Sequence, residues 1–175
     1  MKTQIDAFDY AGHICKALKK GILLTTRSED RVNTMTIGWG TMGIEWNRPI
    51  FIAYVRESRY TKQLLEENGE FTVNIPYGEF DSKILGYCGQ RSGRDTDKIR
   101  DLGLTLEDSQ VVSVPGIREL PLTLECRVIY RQQQELQQLP QTVLDRFYPE
   151  TGEGGFRDYH IAYYGEIVNA YLIET

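Results

Sequence analysis

Histidine and cysteine are scarce, with 2 His and 3 Cys in 175 residues. Cys15, Cys88 and Cys126 are far apart, odd in number and lack a C-x-x-C pair. Neither a disulfide framework nor a Cys/His zinc site is indicated, and no metal is expected. Scattered thiols of this kind fit a reducing cytoplasm. No apolar run approaches the roughly 18 residues of a helical membrane span, and Met1–Asp6 lacks the apolar segment of a secretory signal. Basic residues do not prevail: 20 Lys and Arg face 25 Asp and Glu, a net charge of −5. That argues against a nucleic-acid binder dominated by phosphate contacts. The expectation is a cytoplasmic protein with neither nucleic acid nor membrane as partner. Repeats with a period of about 20–50 residues are missing too, which argues against a solenoid.

What remains is ordinary for a folded globule, 41% hydrophobic and 26% charged. The length fits one domain across residues 1–175 that needs no covalent staples. Patterning predicts short strands with helical insertions. Asp9–Leu18 reads as a helix stopped by Gly21. Strands are expected at Ile22–Thr26, Val32–Trp39, Ile50–Val55, Phe71–Ile75 and Leu122–Tyr130, with one or two more in Ile161–Ile173. The nearly all-apolar Ile50–Val55 reads as central. Helices are expected at Arg59–Glu67, Phe80–Tyr87 and Pro140–Tyr148. The first would have Ser58 as N-cap and Asn68-Gly69 at its end. Gly86–Lys98 reads as a polar loop, and Val111–Ile117 as extended chain around Pro115-Gly116. Strands joined by turns, without strict βαβ alternation, imply a β-barrel or β-sandwich decorated by helices.

Four segments carry possible chemistry. Gly38-Trp39-Gly40-Thr41-Met42-Gly43 matches G-x-G-x-x-G, but Pro49 and another strand follow before a crossover helix has room. A bend between strand and loop is the better reading. Arg56-Glu57-Ser58-Arg59-Tyr60-Thr61 lies between a strand and a helix start. Guanidinium groups, hydroxyls and free backbone N–H groups could there form a phosphate cradle; equally, the arginines could pair with Glu57, Glu66, Glu67 or Glu70. Cys88–Lys98 is rich in Gly, Ser and basic residues but has neither P-loop nor calcium-loop spacing. The aromatics Trp39, Trp46, Tyr54, Tyr60, Tyr163 and Tyr164 could be core or a stacking wall. His160 lacks a G-x-S-x-G elbow or other triad partner.

Taken in order, Val32-Asn33-Thr34-Met35-Thr36-Ile37-Gly38-Trp39-Gly40, Arg56–Thr61, Phe71–Pro76, Gly89–Lys98 and His160 followed by Gly165–Val168 resemble the flavin reductase-like, FMN-binding split-barrel family, its flavoredoxin-type members above all. The resemblance spans about residues 20–173. It implies a mainly β, Greek-key split barrel with helical insertions that binds FMN near the interface of a homodimer. It places Asn33, Thr34, Met35, Thr36 and Trp39 at the flavin ring. Arg56, Ser58, Arg59 and Thr61 fall on the phosphate side, Ser92, Gly93 and Lys98 near the flavin, and His160 close to the ring. Many flavin reductases carry Asp directly before that histidine; Tyr159 stands there in this chain, with Asp158 one step earlier, which counts against an Asp–His pair. The activity implied is an FMN-dependent oxidoreductase taking electrons from NAD(P)H or a redox protein. The alternatives are an electron-transfer protein of the flavoredoxin kind and a split barrel holding another planar ligand. No catalytic side chain is named, because the flavin would carry the chemistry. Aromatics in Phe147–Tyr164 are expected to need cover from a second chain.

Overall fold

A computed structural model describes residues 1–152 and 154–174. The strands are β1 (Lys2–Gln4), β2 (Ile22–Ser28), β3 (Arg31–Ile37), β4 (Gly40–Glu45), β5 (Arg48–Arg56), β6 (Glu70–Ile75), β7 (Leu106–Glu107), β8 (Gly116–Ile117), β9 (Leu122–Gln133) and β10 (His160–Ile173). The helices are α1 (Ala11–Leu18), α2 (Tyr60–Asn68), α3 (Lys83–Gln90), α4 (Lys98–Leu102) and α5 (Gln141–Phe147). One antiparallel sheet runs in the order β3-β2-β6-β9-β10-β5-β4, with β1 added to β10; β7 and β8 pair separately.

The sheet curls around one apolar core. Ile22 and Leu24 of β2, Phe51 and Val55 of β5, Phe71 and Val73 of β6, Leu124 of β9 and Ile161 of β10 meet in a single cluster. Ile14 and Leu18 of α1 close one side of it, as the helical spacing of those residues predicts. On the opposite face of β2, Leu23 packs with Ile84, Leu85 and Cys88 of α3. Burial on both faces explains why Ile22–Thr26 shows no polar alternation.

Several boundaries differ from the patterning. Ile50–Val55 is not central: β5 is next to the edge, between β10 and β4. Its burial alternates, since only one face meets the core. Of the glycines in Gly38–Gly43, Gly38 lies in the short link after β3 as expected, but Gly40 and Gly43 do not lie in a bend. Gly40–Glu45 is a strand paired with Arg48–Ala53, and Gly40 is needed where a Cβ would lie 2.9 Å from the Phe51 ring. The β4–β5 hairpin turns on Trp46 (φ 50) and Asn47 (φ 58), the doubly positive geometry of a type I′ turn built without glycine. The helix expected at Phe80–Tyr87 lies at Lys83–Gln90, so the first residues of the presumed loop are helical. Ile161–Ile173 is one long strand that keeps both neighbours by shifting register at Tyr164/Gly165 and again at Ile167/Asn169. Gly165 lies where a Cβ would come 2.3 Å from Phe71 Cζ.

Within Phe147–Tyr164, Tyr148 and Tyr163 are buried by their own chain, whereas Phe156 is 48% exposed. An exposed aromatic cluster lies at the hairpin tip and reaches Tyr164. Trp46 is 56% and Tyr130 44% exposed, and both lie against Tyr164.

Candidate functional site

One cleft gathers most of the residues singled out from the sequence. It has two lobes, of about 190 Å³ and about 200 Å³, which share Met35, Thr36 and Arg59. Trp39, Tyr54, Arg56 and His160 line the first lobe. Asn33, Ser58, Thr61, Ser92, Gly93 and Lys98 line the second, with Arg91 and Arg94. Larger depressions lie nearby, but the one behind Lys98 mixes its cations with Asp30 and Asp97. Thr34 is the exception among the expected residues. Its side chain is fully buried and bonds to Thr25 Oγ1 (3.0 Å) and the Leu24 carbonyl (3.4 Å). Only its carbonyl serves the site.

Strand β3 supplies the floor. Asn33 is buried and donates through Nδ2 to Thr61 Oγ1 at 3.0 Å, tying the strand to the first turn of α2. Thr36 donates to the Leu85 carbonyl at 2.6 Å and so anchors α3. Beyond the end of β3, Trp39 is 41% exposed; it meets Phe147 edge-on at 5.2 Å and His160 at 4.8 Å between ring centres.

The presumed phosphate cradle is divided by the fold. Arg56 is committed: its guanidinium donates to the Asp158 carbonyl (2.6 Å) and the Phe147 carbonyl (3.0 Å) and stacks on Tyr148. Ser58 is not the helix cap; Arg59 occupies that position. Ser58 instead donates its amide (2.9 Å) and its hydroxyl (2.7 Å) to the Asp158 carboxylate. Asp158 is therefore spent on Ser58, and no Asp158–His160 hydrogen bond forms. Arg59 is exposed at the helix start, and no protein acceptor holds its guanidinium among the described residues.

The loop after α3 folds over the second lobe. Ser92 organises it: its hydroxyl accepts from Arg94 N, and its carbonyl from Thr96 Oγ1 at 2.9 Å. Gly93 admits no side chain, because a Cβ would lie 2.0 Å from Asn33 Oδ1. Arg94 donates to the Ser58 carbonyl at 3.0 Å, and Arg31 donates to the Gly93 carbonyl. Arg31 and Arg94 both stack on Tyr60, at 4.8 and 5.5 Å. Lys98 is 4% exposed and donates to the carbonyls of Thr34 (2.7 Å) and Cys88 (3.1 Å). A third ammonium proton remains for the cleft. Burial holds its pKa below the ordinary lysine value, and pushes the Cys88 thiol up to about 11, so that thiol is not a nucleophile at neutral pH.

The cleft gathers cations that lack an ion-pair partner. Several cations elsewhere pair with carboxylates, as in Arg48–Glu166 (2.8 Å), Lys62–Glu57 (3.0 Å), Arg127–Glu70 (3.0 Å) and Arg157–Glu150 (2.9 Å), while those without such a partner among the described residues outside the cleft, such as Lys19, Lys83 and Arg146, are scattered along the chain. Among the described residues no such pair includes Arg31, Arg56, Arg59, Arg91, Arg94 or Lys98. In a chain with net charge −5, that concentration of uncompensated positive charge fits an anionic ligand.

Two residues of the site were not singled out from the sequence. Tyr148 is 2% exposed, and its hydroxyl is hydrogen-bonded to His160 Nδ1 at 2.7 Å. Phe147 extends the wall made by Trp39. Neither has a local motif; each is brought in by the segment between β9 and β10. His160 is 7% exposed, and burial, helped by Arg56 and Arg59 against the opposing pull of Asp158, lowers its pKa to about 4. It is a neutral imidazole at neutral pH.

This architecture and cleft have counterparts. Residues 19–175 match the family described as flavin reductase like domain. The fold superposes on flavoredoxin from Methanosarcina acetivorans with a TM-score of 0.66 and 28% identity, covering 88% of this chain and 68% of that one. Flavoredoxin of Desulfovibrio vulgaris (Miyazaki F) gives 0.66 and 26%, covering 88% and 69%. The FMN-binding domain of a flavin reductase-like enzyme from Shewanella baltica shares the fold at 17% identity and a TM-score of 0.64, covering 98% and 77%. Among curated sequences, an uncharacterised Archaeoglobus fulgidus protein is 36% identical over 100 residues, 57% of this chain and 55% of that protein. Escherichia coli YddH is 32% identical over 122 residues, 67% of this chain and 64% of that one. These alignments span less than two-thirds of either curated relative. With the match running from just after α1 to residue 175 and the sheet shared with split-barrel structures, the chain belongs to the flavin reductase-like domain family.

Proposed function

We propose that the cleft binds FMN and that the protein is an oxidoreductase passing electrons from NAD(P)H or a redox protein through that flavin. The observation that carries the reading is the group of cations around Arg59 and Lys98 without carboxylate partners, lying beside the aromatic lobe of Trp39 and His160. The residues fit such a cofactor. Arg59, the Lys98 ammonium and the first turn of α2 can hold a phosphate, with Arg91 and Arg94 beside them. Met35 and the backbone to Trp39 offer a flat floor for a heterocycle, and Trp39 with Phe147 forms a wall that excludes water. FMN, when bound, supplies hydride acceptance and transfer of one or two electrons. The protein's part is to hold, orient and electrostatically tune it, so no side chain is assigned proton or nucleophile chemistry. Because the site cations are the phosphate contacts, FMN is favoured over riboflavin.

A pure electron-carrier role is the second reading, favoured by the flavoredoxin structures at 26–28% identity. Stopped-flow reduction of the loaded protein by NADH, NADPH and a reduced low-potential protein separates them. Fast, saturable reduction by a nucleotide supports the oxidoreductase; reduction by the protein donor alone supports the carrier. The same proposal includes a homodimer, for which the exposed Trp46–Tyr130 cluster is a candidate contact.

A further inference from the structure

Three observations about His160 point past its presence in the cleft. Its Nδ1 is held by Tyr148 at 2.7 Å, while its backbone is fixed by pairing with Arg56 and by Gln134 Oε1 accepting from its amide at 3.0 Å. Its Nε2 has no protein partner among the described residues and is not a sealed, unpartnered atom, so it opens on the lobe that His160 lines. The Tyr148 hydroxyl has His160 as its one partner among the described residues, in a position where Tyr148 is 2% exposed.

Those facts decide a proton position. A neutral imidazole has one N–H and one bare nitrogen, and which is which follows from the partner of each. If Nδ1 carried the proton, the buried phenol would only accept, and its own O–H would be left unpaired, at a cost of about 1–3 kcal/mol. If the phenol donates to a bare Nδ1, every buried polar hydrogen is paired, and the imidazole proton must sit on Nε2. We propose that Tyr148 is a positioning residue: its hydroxyl donates to His160 Nδ1, fixes the Nε2–H tautomer, and presents that N–H to an acceptor atom on the heterocycle in the cleft. This rests on the flavin reading for the identity of the heterocycle, but not for the tautomer.

The surroundings favour a neutral donor there rather than an imidazolium. Arg56 from β5 and Arg59 from the start of α2 repel a second positive charge; Asp158 opposes them but is turned to Ser58; Tyr54 lines the same lobe. An N–H held neutral can bond to an electron-rich ring atom without changing charge when the pH falls moderately. The arrangement also explains why the segment between β9 and β10 docks as it does. Phe147 and Tyr148 arrive together: one ring goes to Trp39 and one hydroxyl to His160. Arg56 clamps the Phe147 carbonyl and Arg157 the Tyr148 carbonyl.

The test is a ring-nitrogen NMR measurement on protein labelled at histidine, without added flavin, joined to FMN titrations. Wild type should show a pyridine-like Nδ1 and a pyrrole-like Nε2 for His160. Tyr148→Phe should lose that fixed pattern while keeping its aromatic packing, and should bind FMN about three- to tenfold more weakly, the worth of one hydrogen bond. His160→Gln, whose amide places an N–H near the Nε2 position, should recover more FMN affinity than His160→Leu. A wild-type imidazole protonated on Nδ1, or a Tyr148→Phe variant with unchanged tautomer, overturns the inference. So does equal FMN affinity in wild type, Tyr148→Phe and His160→Leu, which would leave the flavin reading standing. Failure of the wild type to bind FMN overturns the flavin reading and the ligand half of the inference, while the NMR arm still decides the tautomer.

Discussion

Replacing Arg59 by Ala removes a guanidinium with no protein acceptor among the described residues, from an exposed position just before α2. Folding stability should therefore change by no more than about 0.5 kcal/mol. Ligand affinity should not be so indifferent. A charge-assisted hydrogen bond contributes about 1.5–3 kcal/mol, and each 1.4 kcal/mol is about tenfold, so FMN binding should weaken about 10- to 100-fold. Riboflavin lacks the phosphate and should lose little. Arg59 faces solvent, so the gap between the two ligands should narrow as salt rises. Arg56→Ala is the internal contrast. It removes bonds to two carbonyls and a stack on Tyr148, so it should lower the melting temperature and weaken both ligands together. Fluorescence titration of FMN and riboflavin at one ionic strength, with melting curves of each variant, measures all of this. Equal weakening of both ligands by Arg59→Ala, or undiminished FMN affinity, would refute the assignment of Arg59 to the phosphate.

Other consequences can be checked independently. Gly93→Ala places a methyl against Asn33 Oδ1, so the loop over the cleft must move; FMN affinity should fall sharply while far-ultraviolet dichroism stays that of the native sheet. Gly165→Ala drives a methyl into the Phe71 ring and should destabilise the fold by about 1–3 kcal/mol in urea titrations, since the close neighbours are core atoms. His160 has a folded pKa near 4 against about 6.5 unfolded, so the unfolded chain binds the extra proton between those values. Its contribution to stability is complete above about pH 6.5 and is lost as pH falls toward 4, by up to about 3 kcal/mol before solvent screening at its open edge reduces it. His160→Gln should flatten that part of the urea-stability profile relative to wild type. A homodimer is expected in sedimentation at micromolar concentration, weakened by Trp46→Glu; a strict monomer that still binds FMN would remove the interface from the account.

Much of the fold was legible because burial imposed the pattern. Phe71, Val73 and Ile75 alternate toward the core, as do Leu122, Leu124 and Cys126 in the buried first part of β9, whereas Tyr130 at the end of the expected strand is exposed. The turn at Asn68-Gly69 was readable because Gly69 takes φ 74, a conformation that few other residues accept. Strand β4 was not readable: Gly40 is there for close approach to Phe51, not for turning, and the real turn at Trp46-Asn47 carries none of the usual glycine signal. In the site, residue types on contiguous segments could be read, which brought Arg59, Gly93 and Lys98 forward. Their pairing could not. That Arg56 is absorbed by two carbonyls, that Asp158 goes to Ser58 and that Tyr148 holds His160 all depend on how the segment before β10 folds back. Nothing local in the sequence encodes those contacts.

The most direct measurement is the visible spectrum of the purified protein, followed by titration with FMN if it is colourless. The account predicts flavin bands with the protein, or saturable uptake of one FMN per chain that Arg59→Ala weakens. A colourless protein that takes up no FMN at micromolar concentration would contradict it.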